Sequence, residues 1–181
     1  MIERITEQFL HSARLQEKAA EELSEPIAEA IELLFTALTN GGKVLACACG
    51  WAQPFAAHFA DLLVGQYQRD RPGLAAIALS SRQPYARQVE VLGQAGDVLL
   101  VISPVLADSN VLEAIAIARE REMAVVALTT SADSALLDVL DEQIGIAVPT
   151  THFARVTEMH LLVLHCLADG MDVSLFGEED E

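Results

Sequence analysis

Apolar residues in the first 40 positions recur at the spacing of a helix. Ile2, Ile5 and Phe9 form one such series, and a second series follows Pro26, a residue suited to the first turn of a helix. The pattern therefore predicts two N-terminal helices within residues 1–40. Their apolar stripes are of the kind that pack between subunits, so we expect this segment to mediate oligomerisation.

From residue 41 onward, five almost continuous apolar runs alternate with helix-like or loop segments. Strands of this kind joined by helices are typical of a parallel sheet that is covered on both faces. The runs are KVLACAC, LAAIALS, DVLLVIS, MAVVALTT and EQIGIAV. A last helix is predicted over residues 152–173. We expect one α/β domain, with a core at residues 41–173 and an acidic tail at residues 174–181.

Composition and charge narrow the functional classes. With 181 residues, of which 52% are hydrophobic, the chain is long enough for one sizeable core. No uninterrupted apolar run reaches the roughly 20 residues that cross a bilayer, and the charged N-terminus is unlike a signal peptide, so we expect a cytoplasmic protein without membrane contact. The net charge of −16 disfavours direct nucleic-acid binding. It suits a solvated surface or a basic protein partner.

The three cysteines indicate reduced thiols. Cys47, Cys49 and Cys166 are odd in number and lie in apolar surroundings, which is typical of core thiols rather than of a disulfide framework. A zinc site at Cys47 and Cys49 is disfavoured, because no second cysteine pair completes it.

Two turns are candidate ligand sites, because ligands of a parallel sheet gather beyond the carboxyl ends of its strands, where helix N-termini offer backbone N–H groups. The first turn is Cys49-Gly50-Trp51-Ala52-Gln53-Pro54. The second begins at Ser103, where Asp108 or Ser109 is placed to cap the next helix. Trp51 is interpreted as a plug in the pocket, with an exposed partner contact as the alternative. The candidate pocket residues are Gly50, Trp51, Ala52, Ser103 and Thr129.

The order of several longer segments resembles that of a known family. The segments are GGKVLACACG, HFADLLVGQYQRDRPGLAAIALS, LGQAGDVLLVIS, NVLEAIAIAREREMAVVALTT and ARVTEMHLLVLHCLADGMD. Over nearly its whole length the chain resembles the sugar isomerase (SIS) domain, and in particular its phosphoheptose isomerase branch. The resemblance implies a flavodoxin-like three-layer sandwich of five parallel strands with two N-terminal helices, assembled as a homotetramer.

The resemblance also assigns roles to two histidines. His58 and His165 match the catalytic histidines of the family, while the positions of its glutamate and of a metal-binding glutamine hold Leu62 and Thr157. The two histidines are therefore expected to be relics of a catalytic site. Because the glutamate and the glutamine are missing, we expect no cofactor. Zinc on His58 and His165 is the weaker alternative, since two ligands make an incomplete site.

Both turns depart from the family's phosphate-binding pattern. Ala52 lacks the hydroxyl of a family serine, and Trp51 replaces a glycine. In the second turn, Pro104 has no N–H, Val105 has no hydroxyl, and Asp108 would repel a phosphate. The segment ALSSRQPYARQVEVLG also lacks a loop that helps to close the pocket in relatives, so sugar phosphate is not the expected ligand.

The chain is most similar, within that branch, to a DiaA-like group of non-enzymatic proteins that associate with the replication initiator DnaA. We therefore expect a non-catalytic homotetramer that binds DnaA and promotes its assembly at the replication origin. Leu175 and Phe176, before the sequence GEEDE, are the candidate anchors, unless they pack on their own domain. The alternative is a phosphoheptose isomerase-like enzyme or a sugar-phosphate-binding regulator, with sedoheptulose 7-phosphate as ligand. Arg69, Asp70 and Arg71 are interpreted as surface loop charges.

Overall fold

The N-terminal segment is one continuous helix. A computed structural model describes residues 1–177 of the chain, and in it helix α1 spans Ile2–Thr39 and includes Pro26. The prediction of two helices is therefore wrong. Proline removes one backbone hydrogen bond inside a helix at a cost of about 3 kcal/mol. A single apolar stripe continues through this position and outweighs that cost, since buried residues recur at helical spacing on both sides of it: Leu15, Ala19, Leu23, Ala30, Leu34, Ala37 and Leu38.

Five parallel strands form one sheet, as predicted. The strands are β1 Val44–Ala48, β2 Ala76–Ala78, β3 Val98–Ile102, β4 Ala124–Thr130 and β5 Ile144–Val148. All pairings are parallel and the strand order is β2-β1-β3-β4-β5. The first connection goes to one side of β1 and the second returns to its other side, so the β1/β3 boundary is the switch point where open α/β sheets bind ligands.

Helices cover both faces of the sheet and complete the predicted three-layer sandwich. After α1, the helices are α2 Gln53–Val64, α3 Tyr85–Leu92, α4 Ser109–Glu120, α5 Ser134–Leu140 and α6 Phe153–Phe176. A short 3-10 helix, Gly50–Ala52, leads from β1 into α2. Residues of α1, α2 and α6 form one buried apolar layer, and residues of α3, α4 and α5 form the other.

Helix α6 is longer than predicted. It ends at Phe176, so Leu175 and Phe176 form its last turn and do not begin a tail at residue 174. Leu175 is half-buried and Phe176 is exposed. Residues 178–181, the acidic end of the predicted tail, lie outside the described residues.

By length and composition, α6 is the one helix among residues 1–177 that could cross a membrane. In the fold it packs against α1 and α2. It also buries Arg155, His160 and Asp172, polar groups that find partners within the protein. These contacts are those of a core helix, a class that commonly passes the same test of length and apolar character.

Candidate functional site

The two predicted turns lie side by side at the carboxyl edge of the sheet. Ala48 pairs with Ile102 at the ends of β1 and β3, and the Cys49 amide donates to the Ile102 carbonyl at 2.9 Å. The Cys49 thiol lies 3.3 Å from the Ser103 hydroxyl, and burial raises its pKa. The thiol is therefore a neutral packing group between the two turns, and not a nucleophile.

Ser103 and Thr129, both predicted pocket residues, lie close together and face the interior. Both are fully buried with Asp133. The Asp133 carboxylate accepts hydrogen bonds from the Thr129 hydroxyl at 3.2 Å and the Ala107 amide at 2.9 Å, and it lies 3.4 Å from the Ser103 hydroxyl. It also caps α5 by accepting from the Leu136 amide. These hydroxyls hold the second turn in place and do not line an open pocket.

The second turn also lacks a free helix N-terminus. Asp108 is the N-cap of α4, as predicted, and its carboxylate accepts from the Val111 amide at 3.1 Å. Val105 and Leu106 expose 40% and 66% of their surface. A carboxylate thus occupies the place where a phosphate would bind in a helix-terminus site.

The first turn presents an aromatic surface rather than a cradle. Trp51 is 45% exposed, and its ring packs against Phe55 and Phe153, with centroid distances of 6.1 and 4.8 Å. Its interpretation as a plug is therefore wrong, because the indole covers neighbouring rings at the surface. Ala52 is fully buried. Gly50 adopts a positive φ of 49°, a conformation that glycine adopts without steric cost.

His58 and His165 face each other across the seam between α2 and α6. Their Nε2 atoms are 3.1 Å apart, which is a hydrogen bond in which one ring donates and the other accepts. The ring of Tyr67 lies beside His165, with centroids 5.7 Å apart. Burial, and then the neighbouring His58, lower the pKa of His165. The His165 ring is therefore held in its neutral form at neutral pH, the form that a general base requires.

The residues around this pair do not fit a zinc centre held by one chain. The 3.1 Å separation suits two ligands of one tetrahedral ion, since zinc binds imidazole nitrogen at about 2.0–2.1 Å. The family's further ligand positions hold Leu62 and Thr157, which supply neither a carboxylate nor an amide. Within residues 1–177, no group of three or more His, Cys, Asp or Glu side chains is placed to hold a metal ion.

Sequence reasoning missed the contacts that join α2 to α6 below the histidines. Arg71, interpreted as a surface charge, is 8% exposed and forms a buried ion pair with Asp172, with 2.7 Å between Arg71 Nε and Asp172 Oδ1. A charge must pair when a fold buries it. The sequence contained a signal for this ion pair. Asp172, two residues after Gly170, is a charged residue on the apolar face of the last predicted helix, where it would need a partner of opposite charge.

Comparisons with known proteins agree with the fold. The SIS domain family matches residues 8–130. The chain is 44% identical to the phosphoheptose isomerase of Aromatoleum aromaticum, with 100% of this chain and 99% of the relative covered. It superposes on the structure of phosphoheptose isomerase GmhA from Neisseria gonorrhoeae with a TM-score of 0.84 and 34% identity, covering 94% and 97% of the two chains.

A second solved structure, a phosphoheptose isomerase from Francisella tularensis, gives a TM-score of 0.85, with 34% identity and coverage of 94% and 97%. The chain therefore belongs to the SIS domain family. Within that family it has strong homology to the phosphoheptose isomerase branch, as its sequence predicted.

The same comparisons correct the expected function. The prediction of a non-catalytic, DiaA-like protein that binds DnaA is wrong. The relatives that match the full chain are named phosphoheptose isomerase, and none of these findings indicates DnaA binding. That prediction gave too much weight to the altered turns and too little to the retained histidine pair. The assignment of Leu175 and Phe176 as DnaA anchors is withdrawn with it.

Proposed function

We propose that the chain is a phosphoheptose isomerase-like enzyme that acts on a sugar phosphate of the sedoheptulose 7-phosphate class. The observation that carries the proposal is the contact between His58 and His165, 3.1 Å apart, in a chain whose full-length relatives are named phosphoheptose isomerase. We also propose a cytoplasmic location and a homotetramer in which residues 1–40 contact other subunits. Light scattering tests the subunit number, and the exposed Ile2, Ile5 and Phe9 on α1 support the assembly.

Aldose to ketose isomerisation moves a proton between adjacent carbons and therefore needs a base and an acid. Because the pKa of His165 is lowered, its neutral ring removes the proton from the carbon beside the carbonyl. His58, whose Nε2 atom contacts the Nε2 atom of His165, gives a proton to the carbonyl oxygen. On the resulting enediol, His165 returns its proton to the former carbonyl carbon and His58 takes the proton from the other enediol oxygen, so that both histidines regain their starting states. The relatives' metal position is not used in these steps, because Leu62 and Thr157 offer it no ligands.

A second candidate function is binding of the sugar phosphate without turnover. The substituted catalytic and metal-binding positions, Leu62 and Thr157, favour this alternative because they remove groups needed for chemistry rather than for binding. A protein of this kind would report the ligand's concentration through a change in stability or assembly.

The deciding experiment measures isomerisation of sedoheptulose 7-phosphate by wild type, His165→Ala and His11→Ala. His11 is an exposed histidine on α1 and is the matched control. We expect turnover in wild type and His11→Ala, with a loss of at least about 100-fold in His165→Ala, the scale of acid–base catalysis. Ligand-dependent thermal stabilisation without turnover would support the second candidate. If wild type shows no turnover and the ligand does not stabilise it, both candidate functions are refuted.

A further inference from the structure

The ion pair between Arg71 and Asp172 joins the two helices that carry the histidine pair. The Arg71 side chain is fully buried and the Asp172 side chain is 2% exposed. Arg71 Nε donates to Asp172 Oδ1 at 2.7 Å. The other carboxylate oxygen, Oδ2, accepts from the backbone amides of Gln68 and Arg69, each at 3.2 Å. Asp172 thereby fixes to α6 the loop that follows α2.

The same guanidinium holds the end of α2. Arg71 Nη1 donates to the Leu63 carbonyl at 2.8 Å, and Nη2 donates to the Leu62 carbonyl at 2.7 Å. The carbonyls in the last turn of a helix have no partner within the helix, and this end of the helix dipole favours a cation. One side chain therefore ties the carboxyl end of α2 to the side of α6.

This tie lies directly below the histidine pair on both helices. Leu62 follows His58 by four residues, so it lies one turn further along the same face of α2, about 6 Å along the axis. Asp172 follows His165 by seven residues, two turns further along the same face of α6, about 10 Å away. The tie therefore sets how closely the two helices approach and how they are aligned along their axes.

Electrostatics favour the charged form of the tie. Burial alone would raise the pKa of Asp172, but the hydrogen bonds from Arg71, Gln68 and Arg69 outweigh it and hold the pKa below its ordinary value. The Asp172 carboxylate is thus ionised at neutral pH, and each of its two oxygens accepts a hydrogen bond. A buried pair of this kind orders its surroundings when its hydrogen bonds are complete.

We propose that Arg71 and Asp172 are positioning residues that hold His58 and His165 at the distance required for proton transfer. They act through the histidines and do not touch the substrate. The kinetic part of this inference rests on the proposed isomerase function, whereas its geometric part does not. A misplacement of about 1 Å in a catalytic group can lower a rate by roughly 100-fold.

The chain provides a matched control for the loss of a buried carboxylate. Asp97 is 2% exposed and accepts hydrogen bonds from the amides of Lys43 and Gln94 and from the Lys43 ammonium. It precedes β3, at the opposite edge of the sheet from the candidate site. Asp97→Asn therefore removes an equivalent buried charge without touching the contact between α2 and α6.

The experiment compares wild type, Asp172→Asn, Arg71→Lys and Asp97→Asn. The first readout is the nuclear Overhauser contact between the ring protons of His58 and His165 in histidine-labelled protein. We expect the contact to be weakened or lost in the two positioning variants and retained in Asp97→Asn, even if all three variants lose similar stability. Arg71→Lys keeps a cation beside Asp172. It serves as the second positioning variant, so that the ring contact can still be measured if Asp172→Asn does not fold. An unchanged ring contact in a folded positioning variant would overturn the inference.

The second readout is kinetic. With sedoheptulose 7-phosphate we expect kcat to fall about tenfold or more in Asp172→Asn, with KM changed less than about threefold. The same substitution should change kcat little in a His165→Ala background, because its effect passes through that residue. An equal fall in both backgrounds would contradict positioning. If wild type shows no turnover, the proposed function fails, while the ring contact still decides the inference.

Discussion

His160 makes the unfolding free energy depend on pH, and a substitution at this position can separate its contribution from that of the other titratable groups. Its ring is fully buried on α6. Nε2 lies 3.0 Å from the Thr129 carbonyl, and Nδ1 has no hydrogen-bond partner among the described residues. Burial lowers the pKa of His160 from its ordinary 6.5 to about 4, against the opposing effect of the hydrogen bond to Thr129. The folded protein therefore keeps this ring neutral where the unfolded chain protonates it.

The sign of the effect follows from proton linkage. Between pH 6.5 and about 4 the unfolded chain binds one more proton at this position than the folded protein does. The stability is therefore fully present above pH 6.5 and is lost progressively as the pH falls toward 4. Acidification from pH 7 to pH 5 should remove about 2 kcal/mol of unfolding free energy through His160 alone.

The measurement is urea unfolding at pH 7, 6 and 5 for wild type and His160→Gln, with His11→Gln as the exposed control. His160→Gln cannot titrate but keeps a side-chain N–H for the Thr129 carbonyl. The carboxylates titrate in every variant, so the informative quantity is the difference in pH dependence between variants. We expect His160→Gln to lose about 2 kcal/mol less than wild type between pH 7 and 5. Equal losses would refute the assignment.

Two further predictions concern packing and metal binding. Gly170→Ala should lower stability by about 1–2 kcal/mol in urea unfolding, because the added methyl would lie 2.7 Å from Ile31 Cγ1. An Ile31→Ala background should remove this effect, and a persistent effect would contradict the packing argument. Leu62→Glu should increase zinc affinity in calorimetry at least about tenfold, since it adds a carboxylate one turn after His58. Val64→Glu, on an exposed position, is the control, and an equal gain there would contradict it.

The sequence predicted the sheet well because its strands are almost continuously apolar. Every residue of β1 and of β3 is buried, and a fully buried strand has little room for a different pattern. The continuity of α1 was missed because Pro26 is a strong local stop signal. Only packing along the whole helix shows that its apolar stripe continues past the proline.

The candidate site was less predictable, because it depends on contacts between distant parts of the chain. The interior direction of Ser103 and Thr129 was not foreseen, because a hydroxyl in a sequence does not show which way it faces. The Ser103 hydroxyl donates to the Val105 carbonyl at 2.7 Å and the Thr129 hydroxyl donates to Asp133 at 3.2 Å. The pairing of His58 with His165 joins residues 107 positions apart, and it was found only through the family resemblance. Arg71 was misplaced for the same reason, since its partner is 101 positions away.

The long first helix has a consequence for synthesis on the ribosome. Its partners in the fold include β5 and α6, which are the last strand and the last helix of the chain. Arg155, for example, donates to the carbonyl of Gln8, 147 residues earlier. At about 5–20 residues per second, the ribosome needs roughly 7–30 seconds to make the intervening chain. During that time the apolar stripe of α1 lacks these partners, so we expect the nascent chain to bind chaperones until its last helix emerges.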